Sequence, residues 1–342
     1  MRYCVVIADG MADEPVKRLG GKTPLEAAGM GIELGPNGRA FRCDLVTVRD
    51  GVMVDPSAGH IRSAEAKVLI AAVNARLGSR EVSFHSGVSY RGVMVYRGGD
   101  DLSARCTPPR EIVGERCSKH MPAGPGGDLL AALMERSQAV LDAHDVNVVR
   151  VDHGENPGTM LWIWGGGTAP EIRPFVERFG KKGAVICALD VVKGIARYLG
   201  FEVAEVPGAT GYVDTDYAGK GQAALRALVE QEVVVVHVEA ADEAGHEGNA
   251  EEKVRAIEAI DRQVVGPIID SLLGKIDFRI LVAADHVTRT GSRSHASDPV
   301  PFAMCGTGIQ AVHEMPFSEK TAAAAGLRIE RGYELMPYFL RD

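Results

Sequence analysis

The stretch that decides the fold is Glu232-Val233-Val234-Val235-Val236-His237-Val238-Glu239-Ala240-Ala241-Asp242-Glu243-Ala244-Gly245-His246. Its first part, Glu232–Glu239, is a near-continuous apolar run of strand length. A strand buried on both faces of a parallel sheet reads this way, whereas a half-exposed strand alternates. Just past its end come an acid and a histidine four residues apart. The same arrangement recurs along the chain. Tyr3–Ala8 runs into Asp9-Gly10, Phe278–Ala284 runs into Asp285-His286, and Ala184–Ala188 leads into a helical stretch that reaches Leu199. Between these runs, Asp216–Glu230 and Asn249–Leu273 repeat Ala, Leu, Ile and Val three and four residues apart, the period of a helix with one buried face. Strand and helix alternating in this way predict an α/β fold with a mainly parallel sheet flanked by helices.

The middle of the chain has a different texture. Phe41–Val48 and Val88–Val95 read as partly alternating strands, and Ser63–Leu77 and Gly127–His144 as helices. Thr107-Pro108-Pro109 and Met121–Gly127 are loop signals. This predicts a smaller α+β domain over 35–155 inserted into a discontinuous α/β domain formed by 1–34 and 156–342.

Composition excludes several classes of function. The 342 residues are 46% apolar and carry a net charge of −8, with no basic cluster to neutralise phosphates, so no nucleic-acid partner is expected. No apolar run approaches the ~20 residues of a membrane span, and the strand-like start at Tyr3 lacks the pattern of a signal peptide. Six cysteines are scattered without a CxxC pair, as expected of reduced thiols in the cytoplasm.

The chemistry-bearing residues are Asp9, Asp242, His246, Asp285, His286 and His295, the last in a loop just before Asp298-Pro299-Val300-Pro301-Phe302. Strand C-terminal ends share one edge of a parallel sheet, where sites form. Three acids and three histidines meeting there are too many for one tetrahedral ion. They suit two divalent ions a few ångströms apart, a device for phosphoryl transfer. The competing reading of each acid alone is a cap on the following helix.

The order Ala8-Asp9-Gly10-Met11, Asp242-Glu243-Ala244-Gly245-His246, Asp285-His286, then His295 with Asp298–Phe302, resembles the alkaline phosphatase superfamily. Within it, the chain is most similar to the archaeal-type branch of cofactor-independent phosphoglycerate mutases. Gly20–Ala28, Ala40–Val48, Ser57–Ile61, Val206–Thr215 and Glu251–Asp261 extend the match over nearly the whole chain. The resemblance implies an alkaline-phosphatase-like sheet domain and interconversion of 3-phosphoglycerate and 2-phosphoglycerate through a phosphoserine enzyme. It implies no bisphosphoglycerate and two divalent ions, Mn²⁺ foremost, with Zn²⁺ or Co²⁺ also suited to the ligands. One ion would be held by Asp242, His246 and His295, the other by Asp9, Asp285 and His286. The inserted domain would close over the glycerate, a small phosphorylated acid, with Arg42, His60 and Arg91 as candidate contacts to its carboxylate and phosphate. Lys193, in Asp190–Ile195, is a further candidate from the large domain, and a solvated cation is the competing reading of all four.

One departure stands out. The family's nucleophilic Ser lies between the first strand and the inserted domain, yet no Ser occurs between Met1 and Phe41. Pro24-Leu25-Glu26-Ala27-Ala28 runs directly into Gly29–Leu34, as if two copies of one run had fused and removed what lay between. Thr23 is a hydroxyl in this region but fits better as a helix cap. Two alternatives follow. A catalytically impaired metal- or phosphate-binding member accounts for the absent Ser. A homoserine kinase-like phosphotransferase is suggested by Asn156–Gly165, but the chain has no GxxxxGK[ST] loop.

Overall fold

The computed structural model describes residues 1–11, 30–32, 34, 38–169, 171–311 and 316–341. Thr23 and the run 24–28 lie outside these residues. The chain divides into two compact units, one of 1–18, 172–189 and 196–342, the other of 19–171 and 190–195.

In chain order the elements that matter here begin with β1 (Arg2–Ala8), β2 (Arg39–Arg49), β3 (Val52–Asp55), α1 (Ser63–Leu77), β4 (Val82–Ser86) and β5 (Gly92–Tyr96). Then follow α2 (Gly127–Leu141), α3 (Asp145–Asp152), β6 (Met160–Thr168), β7 (Gly183–Ile186), α4 (Asp190–Tyr198) and β8 (Glu202–Ala204). The last stretch carries α5 (Tyr217–Glu230), β9 (Val233–Val238), α6 (Ala240–Glu247), α7 (Ala250–Ile260), α8 (Gly266–Leu272), β10 (Phe278–Ala283), β11 (Val287–Arg289), β12 (Ser294–Ala296) and β13 (Phe302–Gly306).

The first unit is built on a six-stranded sheet in the order β13-β10-β1-β9-β7-β8. Every neighbouring pair is parallel except β10 with β13. β1 lies at its centre, and Tyr3, Cys4, Val5, Val6 and Ala8 are all buried, as a strand covered on both faces requires. Its neighbours are in register: Ile7 pairs with Ala283 on one side and with His237 on the other. The core packs Val6, Ala8, Val234, Val236 and Val238 against Ala224 and Leu228 of α5 and Ile268 of α8. α5 starts where Asp216 accepts a hydrogen bond from the Gly219 N–H, the N-cap arrangement that satisfies an otherwise orphaned donor. The segment expected as a helix over Asn249–Leu273 is helical without a break from Ala250 to Leu272, with one wider π-type turn at 261–265 that precedes Pro267.

The second unit is antiparallel, with order β3-β2-β5-β4 and β6 paired to β2. α1 buries Ala66, Leu69, Ile70 and Val73 with Leu130, Leu133 and Met134 of α2 in one core with the sheet. Two expectations change here. The strand expected over Val88–Val95 begins only at Gly92, because Ser89 has a left-handed φ of 56° and Arg91 N–H closes a turn on the Val88 carbonyl. The segment 156–171 lies with the second unit rather than with the α/β domain, because β6 pairs along β2 from Val46↔Met160 to Arg39↔Thr168. The Gly165-Gly166-Gly167 run looks like a turn in the sequence. At Gly166 a Cβ would sit 2.2 Å from Phe41 Cε1, so the glycine is there to admit an aromatic ring over the strand.

Candidate metal centre

Three adjacent parallel strands deliver the acids. Asp9 follows β1 directly, Asp242 lies in the first turn of α6 just beyond β9, and Asp285 lies two residues beyond β10. His246 is one helical turn past Asp242 and so shares its face of α6. His286 follows Asp285. His295 is carried back by the small β11–β12 hairpin, in which Thr288 pairs with His295. All six belong to the first unit.

The structure brings the six together. His246 Nε2 is 3.4 Å from Asp242 Oδ2, His295 Nε2 is 3.3 Å from Asp242 Oδ1, and the two Nε2 atoms are 2.8 Å apart. His286 Nε2 is 3.0 Å from Asp9 Oδ1 and 3.8 Å from Asp285 Oδ2. Donor atoms of Asp9, Asp285 and His286 all lie within 4.8 Å of one another, as do those of Asp242, His286 and His295. His286 therefore stands between the two groups. Gly10 allows the close approach: its φ is 61°, its N–H donates to Asp285 Oδ1 at 3.3 Å, and a Cβ there would lie 2.5 Å from the Asp242 Cα.

The electrostatics are those of a crowded carboxylate–imidazole site. Burial pushes the Asp9 carboxyl up to about 6, against the pull of His286. Burial works against charge on His286, but Asp9 and Asp285 outweigh it and lift the ring to about 9. Asp242 is held far below the usual carboxylate range, because His246, His295 and Thr288 outweigh its burial. Its carboxylate accepts the Thr288 hydroxyl. The donor set suits a divalent ion, and one observation tests the fit directly. Asp9 Oδ1 is buried with no aligned hydrogen-bond donor and only the His286 ring beside it, at 3.0 Å, which leaves a lone pair of this oxygen open to a cation.

Sequence reading missed the layer behind these six side chains. His237 and Glu239 at the end of β9 and Lys220 on α5 are buried, and Thr288 reaches both Asp242 and His286. The available signal was His237 itself, a lone titratable residue among the valines of β9. The proposed substrate residues all lie in the second unit. His60 and Arg91 gather around Tyr90: the His60 ring stands edge-on to it at 6.2 Å, and the Arg91 guanidinium lies over it at 4.8 Å. Arg42 is already engaged. It pairs with Asp44 at 3.2 Å and stacks over Trp164, whose indole N–H also donates to Asp44. Lys193, expected from the large domain, sits on α4 in the same turn as Asp190, within the 190–195 stretch that belongs to the second unit.

Fold and site together define an α/β protein whose central strands aim a carboxylate–imidazole cluster at one sheet edge. The chain belongs to the 2,3-bisphosphoglycerate-independent phosphoglycerate mutase family, whose model matches residues 14–147. It is 46% identical to 2,3-bisphosphoglycerate-independent phosphoglycerate mutase 2 of Methanothermobacter thermautotrophicus over 327 residues, covering 95% of this chain and 81% of that one. It is 39% identical to the Methanosarcina barkeri enzyme of the family name over 391 aligned positions, covering 98% of both chains. Those positions outnumber the 342 residues here, so that relative carries dozens of residues opposite which this chain has none. Among solved structures, the cofactor-independent phosphoglycerate mutase of Thermoplasma acidophilum superposes with a TM-score of 0.62 at 26% identity, covering 99% of this chain and 98% of that one. A Pyrococcus horikoshii protein shares the fold with a TM-score of 0.78 at 22% identity, covering 99% and 96%.

Proposed function

We propose that this chain is built as a metal-dependent phosphotransferase of glycolysis that handles 3-phosphoglycerate and 2-phosphoglycerate, with two divalent ions, Mn²⁺ foremost. The convergence of Asp9, Asp242, Asp285, His286 and His295, with His246 against Asp242 and His295, carries this reading. Asp242, His246 and His295 would hold one ion; Asp9, Asp285 and His286 would hold the other. When bound, the ions supply Lewis-acid polarisation of phosphoryl oxygens. The chain's own residues set the conditions for that. His286 and His246 must release a proton to present a lone pair, and Thr288 keeps the Asp242 carboxylate oriented. His60 and Arg91, with Arg42 and Lys193, are the proposed contacts to a small phosphorylated acid. The cytoplasm is the proposed compartment, supported by six free cysteine thiols. No described helix is long and apolar enough to cross a membrane.

A second reading has a specific observation behind it. A mutase must park the phosphoryl group while the glycerate reorients, and no Ser occurs between Met1 and Phe41. The excess of aligned positions in the Methanosarcina barkeri relative supports a lost segment. On this reading the chain binds metal and phosphate without mutase turnover. The deciding experiment is Mn²⁺-dependent conversion of 3-phosphoglycerate to 2-phosphoglycerate by the purified chain, with His295→Ala alongside. Turnover that vanishes in His295→Ala establishes the mutase reading and a substitute nucleophile. Metal binding without turnover establishes the impaired member.

A further inference from the structure

His237 lies one residue from the end of β9, where every other position of Val233–Val238 is valine. Its ring is buried between two carboxylates, in charge contact with each rather than in an aligned hydrogen bond: Nε2 is 3.6 Å from Asp9 Oδ2, and Nδ1 is 3.2 Å from Glu239 Oε1. Glu239 is only 2% exposed. It accepts the Ala188 N–H at 3.3 Å and Lys220 Nζ at 2.9 Å. Lys220 is fully buried and also donates to the His237 carbonyl at 2.9 Å. Lys220, Glu239, His237 and Asp9 thus form one line of ionisable groups through the interior of the first unit.

Such a line is expensive. Desolvating an ion costs several kcal/mol, and well-packed apolar residues often replace a buried ion pair without loss of stability. Its shape indicates what it does instead. It ends on one oxygen of Asp9, and the other oxygen is the one left without an aligned donor, 3.0 Å from His286 Nε2. A ligating carboxylate works only if its rotation is fixed, and the groups behind metal ligands commonly supply that constraint.

We propose that His237, braced by the Glu239–Lys220 pair, is a positioning residue that holds Asp9 Oδ2 so that Oδ1 faces His286 and Asp285 for metal binding. This rests on the reading of Asp9 as a ligand. Lys220 balances Glu239, so the bracing carboxylate does not compete with Asp9 for the ion.

The test is Mn²⁺ titration, followed by the resonance of free Mn²⁺, of the full chain and of Asp9→Asn, His295→Ala, His237→Gln and the double variant Glu239→Gln/Lys220→Met. Thermal unfolding of the metal-free forms runs in parallel. Asp9→Asn and His295→Ala each identify one class of sites. The expected result is that His237→Gln weakens the Asp9-dependent class by about 10–100-fold and leaves the class lost in His295→Ala unchanged. A merely structural role would move both classes together. The double variant removes the brace but keeps the ring and the charge balance. It is expected to weaken the same class by several-fold, and it decides the matter if His237→Gln does not fold. Wild-type affinity of the Asp9-dependent class in the folded variants overturns the inference but leaves Asp9 as a ligand. Unchanged binding in Asp9→Asn overturns both.

Discussion

His246 and His295 meet Nε2 to Nε2 at 2.8 Å, with the Asp242 carboxylate within 3.4 Å of each. Two imidazole nitrogens and a carboxylate aimed at one point form the ligand set of a divalent ion. This triad is expected to bind Mn²⁺ more tightly than Asp9, Asp285 and His286, because His286 must first lose a proton that Asp9 and Asp285 hold to about pH 9. Calorimetric titration should resolve one tight and one weaker site, with the tight one absent in His295→Ala. Two equally tight ions would contradict this.

The pH dependence of binding follows from the charge on His286. Its folded value of about 9 lies above the ~6.5 of a free imidazole. In the metal-free protein the protonated ring therefore contributes stability that is complete below about pH 6.5 and is lost as pH rises through about 9. Metal needs the neutral ring, so affinity moves the opposite way. It should rise with pH toward 9, by about tenfold per pH unit for one displaced proton. Titrations at three pH values between 6 and 8 give the slope, and a flat or inverted profile would remove His286 from the ligand set.

Gly10 is the position where backbone geometry and ligand placement coincide. Alanine there meets a left-handed φ, worth about 1–2 kcal/mol, and a Cβ 2.5 Å from the Asp242 Cα. Gly10→Ala should destabilise the chain by more than about 1 kcal/mol and weaken both metal sites, because Asp9 and Asp242 must separate. An unchanged melting temperature would show that the two strand ends are not tightly apposed.

In the second unit, Asp55 organises a strained loop. Its carboxylate accepts the Ser57 N–H and hydroxyl at 2.8 and 2.7 Å, the Gly59 N–H at 2.9 Å and the Asn156 amide at 2.8 Å. Ala58, Gly59 and His60 are consecutively left-handed, which local sequence alone does not favour. Burial raises the Asp55 value, but these bonds outweigh it and hold the carboxyl below its usual range. Its contribution to stability is present above about pH 4 and is lost as pH falls through the lowered value. Asp55→Asn should cost about 1–3 kcal/mol and flatten the acid limb of an unfolding curve measured between pH 3 and 6.

Much of the architecture was legible because parallel strands advertise themselves. A strand buried on both faces must be apolar throughout, so β1, β9 and β10 stand out without reference to any partner. The helix Ser63–Leu77 was equally plain, because it is an unbroken run of helix formers with no Gly or Pro. β6 was obscured because Gly166 answers to the Phe41 ring, more than a hundred residues away in the chain. The acids of the site were legible because each follows a strand end, and the histidines because they lie close behind those acids or before the Asp298–Phe302 stretch. The residues behind them were not. Lys220 looks like any helix-surface lysine until α5 is packed onto β9, where it reaches Glu239 with no exposure to solvent.

The sequence by itself determined the strand–helix alternation, the acid beyond each of three strand ends, the lineage, and the lack of a Ser before Phe41. These are local patterns, readable from each segment's own burial and order. The tertiary structure decided which strands are neighbours, and so which ligands share His286. It also decided that Arg42 is tied to Asp44 and that His237 stands behind Asp9. Those relationships depend on partners distant in the chain, and only packing them together specifies the distances on which charge and coordination depend.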